Sequence, residues 1–292
     1  MGSTEIAAPS ITLIGGATAS GKSALALDLA ERTGAVIVNA DSQQLYKGLA
    51  VLTAAPTEAD TRRAPHLLYE IADPEDSWSV GRWLRRVERV LTEEQRPVIL
   101  VGGTGLYFNA LTKGLADIPP VPDALRAEIS EAYDRIGEDS FRVLVAKADP
   151  QAAARITPGD RQRLIRALGV ALATGKPLSH WRSRTKPLLR PGAYEAIVVD
   201  MDRDALYARC DARAEAMLEA GALDEVAALM ARDLNPSLPA MKAAGVRELA
   251  GHLRGETPLE EALAAMKTAT RQLAKRQLTW FRNQAAHWPR SA

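Results

Sequence analysis

The sequence predicts an α/β fold in which a parallel sheet is flanked by helices and interrupted by a mostly helical excursion. Short apolar runs end in glycine-rich turns, as at Ile11 to Ile14 before Gly15-Gly16 and at Val98 to Val101 before Gly102-Gly103-Thr104-Gly105. The pattern G-x-x-x-x-G-K-[ST] occurs at Gly16-Ala17-Thr18-Ala19-Ser20-Gly21-Lys22-Ser23, between one such run and a helical pattern. Two proline-containing linkers, Asp117 to Asp123 and Lys186 to Gly192, bracket a stretch with helical spacing.

Taken in order, residues 1–9 read as a polar tail and Ile11 to Ile14 as a buried strand. Ala24 to Arg32, with Leu25, Leu29 and the alanines on one side, reads as a helix closed by Gly34. Val36-Ile37-Val38 is a second buried strand ending at Asn39-Ala40-Asp41, so the chain opens as a parallel strand, helix, strand unit. Arg82 to Glu94 reads as a helix, Val98 to Val101 as a third strand, and a further helix starts at Leu106. After the first linker the spacing stays helical to about Thr174, including Arg161 to Ala173. Ala196 to Val199 then returns as a fourth strand, and helices follow from Leu206 onward. The expected division is a core of residues 1–115 and 196–292 with a helical insertion over 116–195.

A length of 292 residues suits two domains of unequal size, and 47% apolar with 25% charged residues excludes wholesale disorder, collagen-like repeats and a coiled-coil rod. The apolar runs are far shorter than the ~18 residues of a membrane span, and no basic region followed by an apolar one opens the chain. A cytoplasmic protein with no membrane partner is expected. The lone Cys210 has no Cys or His neighbours at zinc-ligand spacing, which leaves it as a small helix residue. His66, His252 and His287, with Trp83 and Trp288, read as packed or solvated groups.

The net charge of +1 hides a segregation. Arg155 to Arg190 contains nine basic residues and one acid, Asp160, and Ala262 to Ala292 contains six basic residues and no acid. The rest of the chain carries 22 bases against 35 acids. Two basic stretches on an acidic body suggest a polyanion docking at defined places. Trp181 and Trp280 fall within them, as stacking platforms or as packing.

The glycine-rich motif carries the chemistry. A chance match arises roughly once in a few hundred chains of this size, and its strand-to-helix context makes it rarer. Gly16 and Gly21 let backbone N–H groups face phosphate oxygens, the helix starting near Lys22 adds its positive end, and Lys22 adds a full charge. Ser23 would hold Mg²⁺ through its hydroxyl. Where nucleotide hydrolases end a neighbouring strand in a metal-binding acid, Val98 to Val101 ends in Gly102-Gly103. Asp41 instead ends the second strand at the carboxyl edge, where it can accept a proton, and Thr104 offers a hydroxyl nearby. A bound diphosphate, a base and a polar clamp suit attack by an acceptor with phosphate as leaving group.

Five stretches together carry a resemblance: GATASGKS from Gly16, NADSQQLY from Asn39, VGGTGLY from Val101, DRQRLIRAL from Asp160 and TRQLAKRQLTW from Thr270. In order and spacing they resemble the bacterial tRNA dimethylallyltransferases over nearly the whole chain. The resemblance implies a P-loop NTPase-like core with a helical insertion domain. It implies transfer of a dimethylallyl group from dimethylallyl diphosphate to the N6 amine of adenosine 37, in tRNAs reading codons that begin with U, with release of diphosphate. Asp41 would be the general base, with Thr104, Lys22 and Arg213 completing the catalytic set. The loop residues Gly16, Ala17, Thr18, Ala19, Ser20, Gly21, Lys22 and Ser23 would grip the diphosphate with Mg²⁺, joined by Arg213 or, as second choice, Arg209. Contacts to tRNA would come from Asp41, Ser42, Gln43, Gln44, Thr104, Arg126, Gln162, Arg163, Leu164, Ile165, Arg166, Lys242 and Arg247, and from Lys275, Arg276, Gln277, Trp280 and Arg282. The expected partners are the tRNA anticodon stem-loop and dimethylallyl diphosphate, with the chain acting as a monomer.

Two departures stand out. Ala17 replaces the family's usual proline, and the family's GMDIGTAKP reads GLAVLTAAP from Gly48, with Ala55 in place of lysine. No zinc-finger extension is expected, unlike in some relatives. Two other readings stay open at the level of sequence. A small-molecule or nucleoside kinase also pairs a P-loop with an acidic base, and the loop alone implies nucleotide binding, although the implied transfer requires no ATP. A P-loop RNA-binding or regulatory protein would hold nucleotide without chemistry, and would show salt-dependent tRNA affinity with no transfer.

Overall fold

The computed structural model describes residues 10–182 and 185–291, with the side chain of Arg182 excepted. The polar tail expected over residues 1–9 and Arg184 of the first basic stretch lie outside the described residues. Two compact units form, one from residues up to Ala110 and from Leu189 onward, the other from Leu111–Leu188. These divisions fall a few residues ahead of those taken from the linkers.

The first unit is built on six parallel strands, β1 (Ile11–Gly16), β2 (Val36–Asn39), β3 (His66–Leu67), β4 (Val98–Gly102), β5 (Glu195–Val199) and β6 (Arg290–Ser291), in the order β3-β2-β4-β1-β5-β6. β1 therefore lies between β4 and β5, with Ile14 opposite Val101 and Ile197. Strands covered on both faces read as continuous apolar runs, which is why β1, β2 and β4 are legible as such. The strands β3 and β6 have two residues each and leave no periodic signal in the sequence.

Around the sheet lie α1 (Lys22–Thr33), α2 (Ala50–Thr53), α3 (Glu58–Arg63), α4 (Val80–Glu93), and α5 (Gly105–Thr112), which ends across the boundary between units. After the second unit come α10 (Arg203–Glu219), α11 (Ala222–Met230), α12 (Val246–Leu253) and α13 (Leu259–Gln284). The helix α1 stops where Gly34 turns left-handed at φ 68° and its N–H caps the carbonyl of Ala30. The helix α4 starts at Ser79, whose hydroxyl accepts from the Arg82 N–H at 3.2 Å, and it buries Trp83 and Val87. Trp83 stacks on Tyr107 at 4.0 Å between centroids and donates its indole N–H to the Asn39 carbonyl at 2.8 Å. It thus fixes the end of β2, next to Asp41.

The second unit is helical: α6 (Asp123–Ala148), interrupted at Gly137, then α7 (Pro150–Arg155), α8 (Arg161–Thr174) and α9 (Leu178–Arg182). Its own core gathers Ile129, Phe141, Val145, Leu164, Ala167, Val170 and Leu178. Asp149, fully buried, begins α7 by accepting from the Ala152 N–H at 3.0 Å and from the Ser179 N–H at 2.8 Å. Its side chain ties two helices of the unit together.

Trp83 joins the core to the site-bearing edge, so its loss is expected to be costly. Trp83→Ala should destabilise the first unit by about 3 to 5 kcal/mol, read as a lower melting temperature and an earlier denaturant midpoint. Trp83→Phe, which keeps most of the volume and loses the hydrogen bond, should cost about 1 kcal/mol plus a packing increment.

Candidate active site

The loop after β1 turns on two unusual backbone positions. Gly21 lies at φ 97° directly before α1, and Ala19 adopts φ 63°, a conformation uncommon for a residue with a Cβ. Strain of this kind is held where the surroundings over-determine the backbone, often at ligand sites. Here the Ser20 N–H donates to the Ala17 carbonyl at 3.2 Å and the Lys22 ammonium to the same carbonyl at 3.2 Å. The Ser20 hydroxyl is buried without a hydrogen-bond partner, a polar atom in the loop with its capacity unused.

Lys22 is itself only 8% exposed. Burial pulls its pKa from 10.5 down to about 8, with the charge of Asp41 acting against that shift and Arg213 adding to it. Burial also lowers the pKa of Arg213, again opposed by Asp41. Two partly desolvated cations therefore face one carboxylate. Arg213 donates to the Thr53 carbonyl at 3.2 Å, and Arg209 lies with Gly21, Lys22 and Ser23 along a cleft of about 190 Å³. Both candidate arginines reach the loop, Arg213 from its buried side and Arg209 from its exposed one.

Asp41 lies two residues beyond Asn39, the last residue of β2, and is held by a ring of short bonds. Its N–H donates to the Asn39 side-chain oxygen at 2.7 Å, and the Asn39 amide donates to the Asp41 and Leu68 carbonyls at 3.0 Å each. Asp41 Oδ1 accepts from the Gln43 N–H at 3.0 Å. Asn39 is fully buried, and this organising residue went unassigned in the sequence reading, where it marked only a strand end. Thr104 sits across from this turn, its hydroxyl accepting from the Ser42 N–H at 2.9 Å and donating to the Ser42 hydroxyl at 3.2 Å.

The glycine that ends β4 and two that follow it permit three close approaches. A Cβ at Gly102 would collide with the Ala40 backbone, one at Gly103 with the Gln277 amide, and one at Gly105 with the indole of Trp280. No acid ends β4, as the sequence indicated. The loop, Asp41 and an apolar wall share one narrow space of about 40 Å³, lined by Thr18, Lys22, Ser23, Asp41, Gln43, Arg213 and, on its apolar side, Leu52, Met217, Met266 and Leu273. The apolar lining had no motif to announce it. A larger and mostly apolar groove of about 700 Å³, with Leu25, Leu29, Tyr194 and Trp288 in its wall, touches none of the motif residues.

Several expected RNA contacts occupy other positions. Leu164 and Ile165 are buried in the core of the second unit, so of that stretch only Gln162, Arg163 and Arg166 reach solvent. Their spacing on α8 places apolar side chains inward and polar ones outward. Gln44 spends its amide on the Thr53 carbonyl at 3.1 Å and on that of Ala54 at 2.6 Å. Gln277 is 8% exposed and accepts from the Thr18 N–H at 2.8 Å. Ala274, Gln277 and Phe281, spaced three and four apart, form the buried stripe of α13, a signal that could have turned Gln277 inward from sequence alone. Trp280 is half-buried against Gly105, and Trp181 packs partly on the core of the second unit. His66, His252, Trp83, Trp288 and Cys210 are packing or locally bonded groups, as read.

The basic stretches are unequally neutralised. On α13, Lys267 pairs with Glu215 and Arg271 with Asp211, at 2.5 and 2.6 Å. Lys275, Arg276 and Arg282, one turn and more onward, are exposed and have no ion pair among the described residues, and the same holds for Lys242 and Arg247. In the second unit Arg161 pairs with Asp134 and Arg163 with Asp160, at 2.6 and 3.2 Å, and Arg126 pairs with Asp123. No helix among the described residues is long and apolar enough to cross a membrane.

Comparison with known proteins fits this geometry. The sequence matches the model of the family described as IPP transferase over residues 44–284, and that of isopentenyl transferase over residues 9–69. It is 58% identical over 97% of its length to a protein named tRNA dimethylallyltransferase from Phenylobacterium zucineum, of which it spans 92%, and 56% identical to one from a Caulobacter species over 96% and 92%. Among solved structures, the full-length tRNA isopentenylpyrophosphate transferase of Bacillus halodurans aligns with a TM-score of 0.67 at 33% identity, covering 97% of this chain and 89% of that one. A eukaryotic dimethylallyltransferase acting on tRNA aligns with a TM-score of 0.81 at 26% identity, covering 94% and 70%. The phosphate loop, the carboxylate at the edge of the sheet and these matches agree, and the chain belongs to the tRNA dimethylallyltransferase family, the IPP transferases.

Proposed function

We propose that this chain transfers a dimethylallyl group from dimethylallyl diphosphate to the N6 amine of adenosine 37 in tRNAs reading codons that begin with U. The observation that carries the reading is the narrow space in which Lys22 and Arg213, the Asp41 carboxylate and the apolar side chains of Leu52, Met217, Met266 and Leu273 meet. That combination matches a substrate with an anionic head and a hydrocarbon tail. It also matches an acceptor that must lose a proton.

In the reaction the bond from the allylic carbon to the diphosphate oxygen breaks, and the leaving group takes its electron pair. The N6 nitrogen forms a bond to that carbon and gives its proton to Asp41. An amine conjugated to a purine ring is a weak nucleophile, so the larger effect comes from stabilising the departing charge. Lys22, Arg213 and the loop N–H groups are placed for that, in a site where burial strengthens each interaction. Arg209 would add charge at the exposed side of the loop. Thr104 would orient the amine beside Asp41, and Ser42 and Gln43 would border the base. Adenine must leave its stack to reach this space, so the nucleotide is read as flipped.

Among the described residues no group of three His, Cys, Asp or Glu side chains is placed to hold a metal ion. The exposed Ser23 hydroxyl at the loop would be the side chain to help hold a Mg²⁺ ion brought with the diphosphate. Such an ion would neutralise part of the charge on the leaving group. The unpaired cations Lys275, Arg276 and Arg282, with Lys242 and Arg247, suit the phosphates of an anticodon stem-loop, and Arg126, Gln162, Arg163 and Arg166 offer a second set of contacts. All the catalytic groups come from one chain, consistent with a monomer working in the cytoplasm, where its RNA is made.

Incubation with Mg²⁺, labelled dimethylallyl diphosphate and unmodified tRNA should put label into RNA. Asp41→Asn should slow that transfer by about 10² to 10⁴ and leave tRNA affinity within about twofold. ATP consumption on adding a small acceptor, with no label in RNA, would instead assign a kinase. A second expectation follows from Lys22, whose pKa lies near 8 in the free protein. The bound anion needs the ammonium form, so affinity for diphosphate should fall as pH rises above about 8, approaching tenfold per pH unit. Lys22→Arg should remove that dependence. The same shift has the opposite sign for folding: the native state binds fewer protons than the unfolded chain between about pH 8 and 10.5, so the stability of the free protein rises with pH across that window as the cost of the buried charge is relieved.

A further inference from the structure

We infer that Gln277 is a positioning residue that sets the phosphate loop and the Asp41 carboxylate in a fixed relation, rather than a contact to RNA; this deepens the transfer reading given above. The two ends of its amide do different work. A backbone N–H can bond only to the oxygen end, so the 2.8 Å bond from the Thr18 N–H fixes which way the amide faces. The nitrogen end then points to the turn after β4. There Gly103 lacks the Cβ that would collide with it, and that same point lies 3.3 Å from Asp41 Oδ2. The donor end of Gln277 and the second oxygen of Asp41 thus flank one spot. Asp41 Oδ1 is already engaged by the Gln43 N–H, which leaves Oδ2 as the oxygen facing the amide and the reacting amine.

Two consequences follow. The Thr18 N–H is taken up by Gln277, so it holds the loop rather than the ligand. And α13, whose exposed side carries Lys275, Arg276 and Arg282, is bonded through one buried side chain to the loop, and that same side chain lies against the Gly103 turn beside Asp41. A glutamine at this inward position of an otherwise apolar stripe is explained by its bond to the Thr18 N–H, a buried polar group kept where it has a partner.

The test uses Gln277→Leu, Gln277→Glu and Gly103→Ala in the full chain. Three quantities are measured: binding of inorganic diphosphate with Mg²⁺ by calorimetry, affinity for an anticodon stem-loop RNA, and the single-turnover rate of transfer across pH. Gln277→Leu, which removes the bond to Thr18 at similar volume, should weaken diphosphate binding about 10- to 100-fold with RNA affinity within about twofold. Gly103→Ala, which displaces the amide while leaving the sequence of α13 unchanged, should reproduce the loss. Gln277→Glu can still accept from Thr18 but adds an anion beside Asp41, the carboxylate whose charge acts on Lys22, Arg213, Tyr69 and Tyr107. It should move the acid limb of the rate profile to higher pH by about one unit or more. Weakened RNA affinity with unchanged diphosphate binding would make Gln277 an RNA contact and overturn the inference. An unmoved acid limb in the Glu variant would overturn its link to Asp41. The calorimetric arm needs no turnover, so a chain that binds diphosphate through Gln277 yet transfers nothing would refute the prenyl-transfer reading alone.

Discussion

The close approach of three segments at the carboxyl edge of the sheet is the constraint on which the site rests. The turn after β4 passes so near the end of β2 and the face of α13 that side chains at Gly102, Gly103 and Gly105 would strike the Ala40 backbone, the Gln277 amide and the Trp280 indole. Parallel pairing brings these ends together in the first place, with Asn39 opposite Val101 in register. Glycine then lets the turn close over them. Asp41 is placed by this packing, through Asn39 beneath it and Trp83 behind Asn39, as much as by its own sequence neighbours.

Electrostatics works against that compactness. Lys22 and Arg213 are held where burial disfavours their charge, and for Lys22 the depression from 10.5 to about 8 corresponds to a penalty of about 3 kcal/mol. A cation kept at such a cost is positioned for an anion that arrives later. The Ser20 hydroxyl, buried and unbonded, points the same way, as does the left-handed Ala19. The loop is therefore less stable empty than a turn of its length need be. Binding of a diphosphate, as proposed for this loop, would relieve both costs together.

Much of this was readable from residues. Apolar runs gave β1, β2, β4 and β5 to within a residue or two, except that β1 continues through Gly15-Gly16, and the linkers marked a helical unit with its own core. The loop motif and Asp41 were legible as candidates that the structure brings to one space, because each depends on a short local pattern. Other features depend on tertiary neighbours and left no local trace. The two-residue strands β3 and β6 exist only as pairings. The apolar wall of Leu52, Met217, Met266 and Leu273 is assembled from three separate helices, α2, α10 and α13. Asn39 and Gln277 are ordinary polar residues until their burial is known. Leu164 and Ile165 show the converse, since residues inside a stretch that resembles an RNA-contacting one are packed inward by the period of the helix that carries it.

The central claim is that the space between the phosphate loop and Asp41 joins a prenyl group to one base of tRNA. Its most direct test is to digest anticodon stem-loop RNA after incubation with the protein, Mg²⁺ and dimethylallyl diphosphate, and to identify the modified nucleoside by mass spectrometry. The account predicts a single product, adenosine 37 carrying a dimethylallyl group on N6. Unmodified RNA, or a prenyl group on any other atom or nucleotide, would contradict it.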